Sequence, residues 1–148
     1  MAAPRKRKPG PPKGDAQFAA LPWRRRADGG VEVLVITSRE TRRWVLPKGW
    51  PMKAMTPAEA AAREAYEEAG VIGQTEAEPI GAYPYAKRLR GGALQTVQVQ
   101  VFAMEVTAEQ RAWPEKDQRD KLWTTRETAA DLVEEPELKA LIRGFAPG

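Results

Sequence analysis

Glu64, Glu67 and Glu68 are the residues of this 148-residue chain whose types and spacing are best suited to chemistry. At about 100° per residue, their i, i+3, i+4 spacing gathers three carboxylates into one arc of a helix. Two such charges about 5 Å apart repel by roughly 3 kcal/mol at an effective dielectric near 20, and a divalent cation between them reverses the sign. Arg63 lies four residues from both Glu59 and Glu67 and can brace the group by pairing with either. The chain has no histidine and no cysteine, which removes imidazole bases, thiolate nucleophiles and the usual zinc sites. What remains is carboxylate and lysine chemistry around an oxygen-preferring ion, magnesium or manganese. The same spacing also describes a solvated acidic face, where like-charged neighbours cost only about 0.2 to 0.5 kcal/mol each.

The helix that must carry these residues is well marked. Thr56 is a cap, Pro57 suits the first helical position, Glu59 closes a capping box, and Gly70 is a stop. Ala58, Ala61, Ala62, Ala65 and Ala69 share the other side, small enough to let the helix lie close on a sheet. Upstream, residues 17–24 and 31–37 read as a hairpin turning at 27–30. A short strand over 42–46 then delivers Pro47, Lys48 and Gly49 to the mouth of the helix, where backbone groups meet a phosphate or a metal. Downstream, residues 79–85 and 96–106 alternate apolar and polar as half-buried strands do. A short strand follows over 121–124, then a helix interrupted near Pro136 and a final amphipathic stretch through Leu138, Leu141, Ile142 and Phe145. This order predicts one α/β (α+β) domain, a mixed β-sheet sandwiched between helices.

Composition bounds the partners. The formal charge of +4 is carried by residues 1–14, where Arg5, Lys6, Arg7, Lys8 and Lys13 stand without an acid; the rest holds 19 basic and 20 acidic residues. We read 1–14 as a disordered basic tail and 15–148 as the domain, with the tail too generic to argue for nucleic acid. No apolar run reaches the length of a membrane span and the start lacks a signal-peptide core, so the expectation is a cytoplasmic protein with no membrane partner. Of the five tryptophans, Trp50 is the one placed for exposure at the site, the others reading as core or rim.

The run Arg63, Glu64, Ala65, Tyr66, Glu67, Glu68, Ala69, Gly70, Val71, preceded by Gly49, resembles the signature box of the Nudix hydrolases. The likeness covers about residues 17–145 and favours the metal site over the solvated face. It implies metal-dependent attack of water on a phosphorus of a nucleoside diphosphate-like linkage. Glu64 would be base or bridging ligand, Glu67 and Glu68 metal ligands beside Gly49, and Arg63 their brace. A further acid outside the box is implied, for which Glu105 and Glu115 both stand. One departure is Met55, which occupies the place of a glutamate usual six residues after the first glycine; its thioether does not ligate a hard cation. Residues 44–49 (WVLPKG) and the box are most similar to the diphosphoinositol polyphosphate and diadenosine polyphosphate hydrolases. Such a small polyphosphate needs cations beyond the metal, and Arg39, Lys48, Lys87, Arg88, Arg90 and Lys121 are the candidates. Other readings are hydrolysis of ADP-ribose, a nucleoside triphosphate or an RNA 5′ end, and a Nudix-like module that senses a nucleotide without cleaving it.

Overall fold

Strand β1 (Ala16–Arg25) organises the sheet in the computed structural model, which describes residues 16–148; the expected tail over 1–14 lies outside them. One edge of β1 runs parallel to β7 (Leu94–Glu109), from Ala16 opposite Gln98 to Trp23 opposite Glu105. Its other edge is divided between two antiparallel partners. The C-terminal half takes β2 (Val31–Thr37), with Trp23 opposite Val33, and the N-terminal half takes β4 (Lys48–Gly49), with Phe18 opposite Gly49. Beyond β2 lie β3 (Trp44–Val45) and β8 (Lys121–Thr125); beyond β7 lie β5 (Val71–Thr75) and β6 (Gly81–Arg88). The sheet is mixed, as the sequence predicts. Strand β5 was not anticipated, and β6 and β7 run further than expected because they pair with each other out to Arg88 and Leu94.

Alternation along β1 sends side chains to two cores. Ala19, Leu21 and Trp23 join Val33, Val35, Val99 and Val101 beneath α2 (Arg126–Leu132) and α3 (Pro136–Gly144). Ala20 joins Leu34, Ile36, Phe102 and Met104 beneath α1 (Pro57–Ala69), where Phe18 meets Phe102 edge-on at 6.1 Å between centroids. Each fully buried leucine or valine contributes about 1.5 to 3 kcal/mol, so both faces need their helices. Among the described residues no helix is long and apolar enough to cross a membrane.

Helix α1 forms where its punctuation says it should. Thr56 Oγ1 accepts from the Glu59 amide at 3.1 Å and the Glu59 carboxylate accepts from the Thr56 amide at 2.9 Å, a complete capping box. Gly70 ends the helix in the left-handed region at φ 71°, and a Cβ there would lie 2.4 Å from the Trp113 ring. Ala58, Ala61, Ala65 and Ala69 are buried against the sheet, while Ala62 is half-buried.

Candidate active site

The box helix and β4 meet edge to edge. Pinning Lys48 and Gly49 onto β1 brings the Gly49 backbone so near α1 that a Cβ at this position would lie 2.1 Å from Glu64 Oε2. The Lys48 amide donates to Glu68 Oε1 at 3.3 Å. The three glutamates are not a solvated face: Glu64, Glu67 and Glu68 are 0%, 2% and 6% exposed. Burial pushes the Glu68 carboxyl well above its ordinary value, and the charge of Glu64 adds to the push against the opposing pull of Arg119.

Arginines brace the cluster. Arg63 Nε donates to Glu67 Oε2 at 2.7 Å, one of the two pairings its spacing allows. Arg119, which the sequence reading missed, lies in the segment after β7 that folds back over the end of α1. There the Gln110 amide donates to the Gly70 carbonyl and the Glu115 amide to the Glu67 carbonyl. Arg119 donates from Nε to Glu115 Oε1 at 2.9 Å and from Nη1 to the Thr37 carbonyl at 3.2 Å, and its Nη2 stands 3.7 Å from Glu68 Oε2. The i, i+4 spacing of Glu115 and Arg119 was the one signal available. Of the two further acids, Glu115 is buried beside the cluster, whereas Glu105 is exposed on β7.

A cationic flank adjoins the carboxylates. Lys48 Nζ stands 3.8 Å from the centroid of the Tyr85 ring and the Arg43 guanidinium 5.0 Å from it, with Arg43 paired to Glu135 at 2.9 Å. Burial lowers Lys48 to about 8, with Glu68 opposing and Arg119 and Arg43 assisting. Lys87, on the same face of β6 as Tyr85, is lowered by burial and then by the charge of Lys48, so the two ammonium groups are neighbours. Arg43 and Tyr85 are further residues that sequence reasoning passed over.

The other expected cations go elsewhere. Arg39 donates to Gln118 Oε1 at 3.0 Å on an exposed turn, Arg88 reaches the Gly92 carbonyl across the β6–β7 hairpin tip, and Arg90 is exposed in that tip. Lys121 is engaged structurally, donating to the Ala69 carbonyl at 2.6 Å and to Glu109 at 3.1 Å. Trp50 is core and 8% exposed, which corrects the expectation that it stands open at the site; directly after β4, it packs in the cluster with Ala19, Leu21 and Val99. Met55 is 40% exposed and lines a groove of about 260 Å³ with Glu59, Tyr66, Ile72 and Met104, on a flank of α1 apart from Glu64 and Glu68.

A model of the NUDIX domain matches residues 16–145. The chain belongs to the Nudix hydrolase family. It is 32% identical over 124 residues to Nudix hydrolase 13, mitochondrial, of Arabidopsis thaliana, covering 78% of this chain and 59% of that protein. It is 35% identical over 105 residues to Nudix hydrolase 12, mitochondrial, of the same plant, covering 69% and 52%. The chain thus spans little more than half the length of these curated relatives. Among solved structures, an Ap4A hydrolase from C. elegans superposes with TM-score 0.61 at 20% identity, covering 88% of this chain and 94% of that one. A Nudix hydrolase from Nitrosomonas europaea gives 0.65 at 17% identity, with 88% and 87% covered. These structural likenesses establish the Nudix fold.

Nudix hydrolases generally use divalent metals, and the donor set here fits one. Its oxygens are hard, they are buried together, and the absence of a side chain at Gly49 lets the Glu64 carboxylate lie against the β4 backbone. Among the described residues no three acidic groups converge as a finished metal cage. Arg63 pairs with Oε2 of Glu67 and Arg119 with Oε1 of Glu115, which orients both carboxylates beside the cluster.

Proposed function

We propose that this Nudix domain is a magnesium- or manganese-dependent pyrophosphohydrolase acting on a long phosphate chain, a dinucleoside polyphosphate or an inositol pyrophosphate. The observation that carries the reading is the junction of two charge fields: the buried glutamates of α1 and, across the Lys48 backbone, the cations Lys48, Lys87 and Arg43. Glu64, Glu67 and Glu68, beside the Gly49 backbone, would hold the metal. Bound there, the ion would polarise phosphate oxygens and acidify a water ligand.

The chain's own groups do the rest. Water oxygen forms a bond to phosphorus as the bridging P–O bond breaks; with no histidine present the base is a carboxylate or metal hydroxide, and the family resemblance makes Glu64 the first candidate to take the water's proton. Arg63 fixes Glu67, and Arg119 ties Glu68 to Glu115. Lys48 and Lys87 neutralise the next phosphates, each charge-assisted contact contributing about 1.5 to 3 kcal/mol before ordering costs. The C. elegans neighbour named as an Ap4A hydrolase agrees with a substrate of this class.

The test is a kcat/KM panel with magnesium or manganese across dATP, ADP-ribose, diadenosine compounds of increasing phosphate number, and inositol pyrophosphates. Selectivity should climb with chain length, and oxygen-18 water should mark the attacked phosphorus. Equal or better turnover of ADP-ribose or dATP removes the long-chain reading. Replacing Glu67 or Glu68 by Gln should cut turnover by about a hundredfold or more while leaving the midpoint of unfolding in EDTA equal or higher. An active double Gln variant would refute the metal assignment.

A further inference from the structure

Two cations stand over one ring, and their situations differ. Arg43 is neutralised by Glu135 at 2.9 Å and Glu134 at 3.6 Å. Lys48 makes no ion pair among the described residues; its ammonium rests on the face of Tyr85 at 3.8 Å. The negative face of an aromatic ring attracts a cation without consuming its charge, so the ammonium is oriented yet still able to take an anion. Lys48 also reaches the carboxylate cluster through its main chain, its amide donating to Glu68 Oε1. The same residue therefore joins the reacting end of the site to the aromatic ring. Lys87 follows Tyr85 on one face of β6 and adds a second positive charge beside Lys48.

We propose that Tyr85 is a positioning residue that holds the Lys48 ammonium ready for the phosphate next to the one attacked, and that its ring face, taken by the chain's own cations, reads phosphate and not a stacked base. The identity of that phosphate as part of a substrate rests on the hydrolase reading above; the binding claim does not. An aliphatic side chain at position 85 leaves the ammonium unanchored, so rotamer freedom must be lost when the anion arrives. A base stacking on the face that carries Lys48 would have to displace its ammonium from the ring. The phenol hydroxyl has no part in this arrangement, so phenylalanine should serve as well.

Inorganic tripolyphosphate, titrated calorimetrically into the full-length chain in EDTA, isolates the contribution of these cations. Tyr85→Phe should bind within about twofold of wild type, while Tyr85→Leu and Lys48→Met should each bind about tenfold more weakly. The double variant should be no more than about twofold weaker than Lys48→Met alone, because both changes remove one interaction. Adenosine should not compete. The proposal is overturned if tripolyphosphate fails to bind wild type, if Tyr85→Leu binds like wild type, if Tyr85→Phe is as weak as Tyr85→Leu, if the single effects multiply, or if adenosine competes. Tyr85→Met supplies a second non-aromatic side chain should the leucine variant not fold. Hydrolysis is read separately on wild type: a chain that shows this cycle but cleaves no substrate refutes the hydrolase reading and not this one.

Discussion

Lys48 makes opposite demands on folding and on binding. Its ammonium is held down to about 8 by burial, against an ordinary value of 10.5. Between those values the unfolded chain keeps a proton that the folded chain has released, so the stability contributed at this residue rises with pH across the window. Phosphate binding runs the other way, because the charge that attracts the anion is lost above about 8. Urea unfolding of wild type and Lys48→Met from pH 7.5 to 10 should show their difference moving in favour of wild type, while KM climbs with pH more steeply in wild type than in Lys48→Met, where Lys87 alone still titrates at the site. Met55 is a simpler case. Exposed on the outer flank of α1, it has no place among Glu64 and Glu68, so Met55→Glu should change kcat at saturating magnesium by less than about tenfold. A gain of about a hundredfold, roughly 2.7 kcal/mol of barrier, would instead mark Met55 as a lost ligand.

The two elements that build the site fail differently when altered. Thr56→Ala removes half of the capping box of α1 and should cost about 1 kcal/mol, lowering the thermal midpoint by about 3 °C with kcat per folded molecule unchanged. Gly49→Ala places a methyl where Glu64 now lies, so it should depress kcat by about a hundredfold or more with a smaller change in the midpoint. Comparing the two variants by melting and by turnover separates a helix that is less stable from a carboxylate that is misplaced. Helix α1 was legible in the sequence because its cap, stop and alanine stripe all fall within the fifteen residues from Thr56 to Gly70, and each is signalled by neighbours no more than four positions apart. The short strand β4 gave only the hint of a loop arriving at the helix; its pairing with Phe18 and Ala19 spans about thirty residues and leaves no periodicity to read. For the same reason the sequence showed Arg63 beside Glu67 but could not show Arg43 over Tyr85 or Arg119 against Thr37.

At the scale of the whole molecule, Lys121 illustrates how a charge expected at the substrate can also have architectural partners. It joins the end of α1 at Ala69 to Glu109 of β7, with the Trp113 ring 4.5 Å away and Trp123 sharing the same Glu109 carboxylate. Lys121→Met should therefore cost about 1 to 3 kcal/mol by urea unfolding and leave KM within about twofold. A large rise in KM at unchanged stability would return Lys121 to the substrate. Residue types alone could not sort this lysine from Lys48, since both stand near a strand end with aromatic neighbours. The sandwich itself was foreseeable from the alternation of elements, but the parallel pairing of β1 with β7 was not, and it has a consequence for how the chain is made. The first described strand pairs along one edge with residues more than eighty positions later, Ala16 with Gln98. At a ribosomal pace of about 5 to 20 residues per second, β1 emerges roughly 4 to 16 s before that partner exists. During the wait its apolar stretch can be covered by the β2 hairpin, the short β4 and α1, but its β7-facing edge has no partner, so the nascent chain carries half a sheet with an open edge. Chaperone capture during synthesis should concentrate on 16–25 and end once β7 has cleared the exit tunnel.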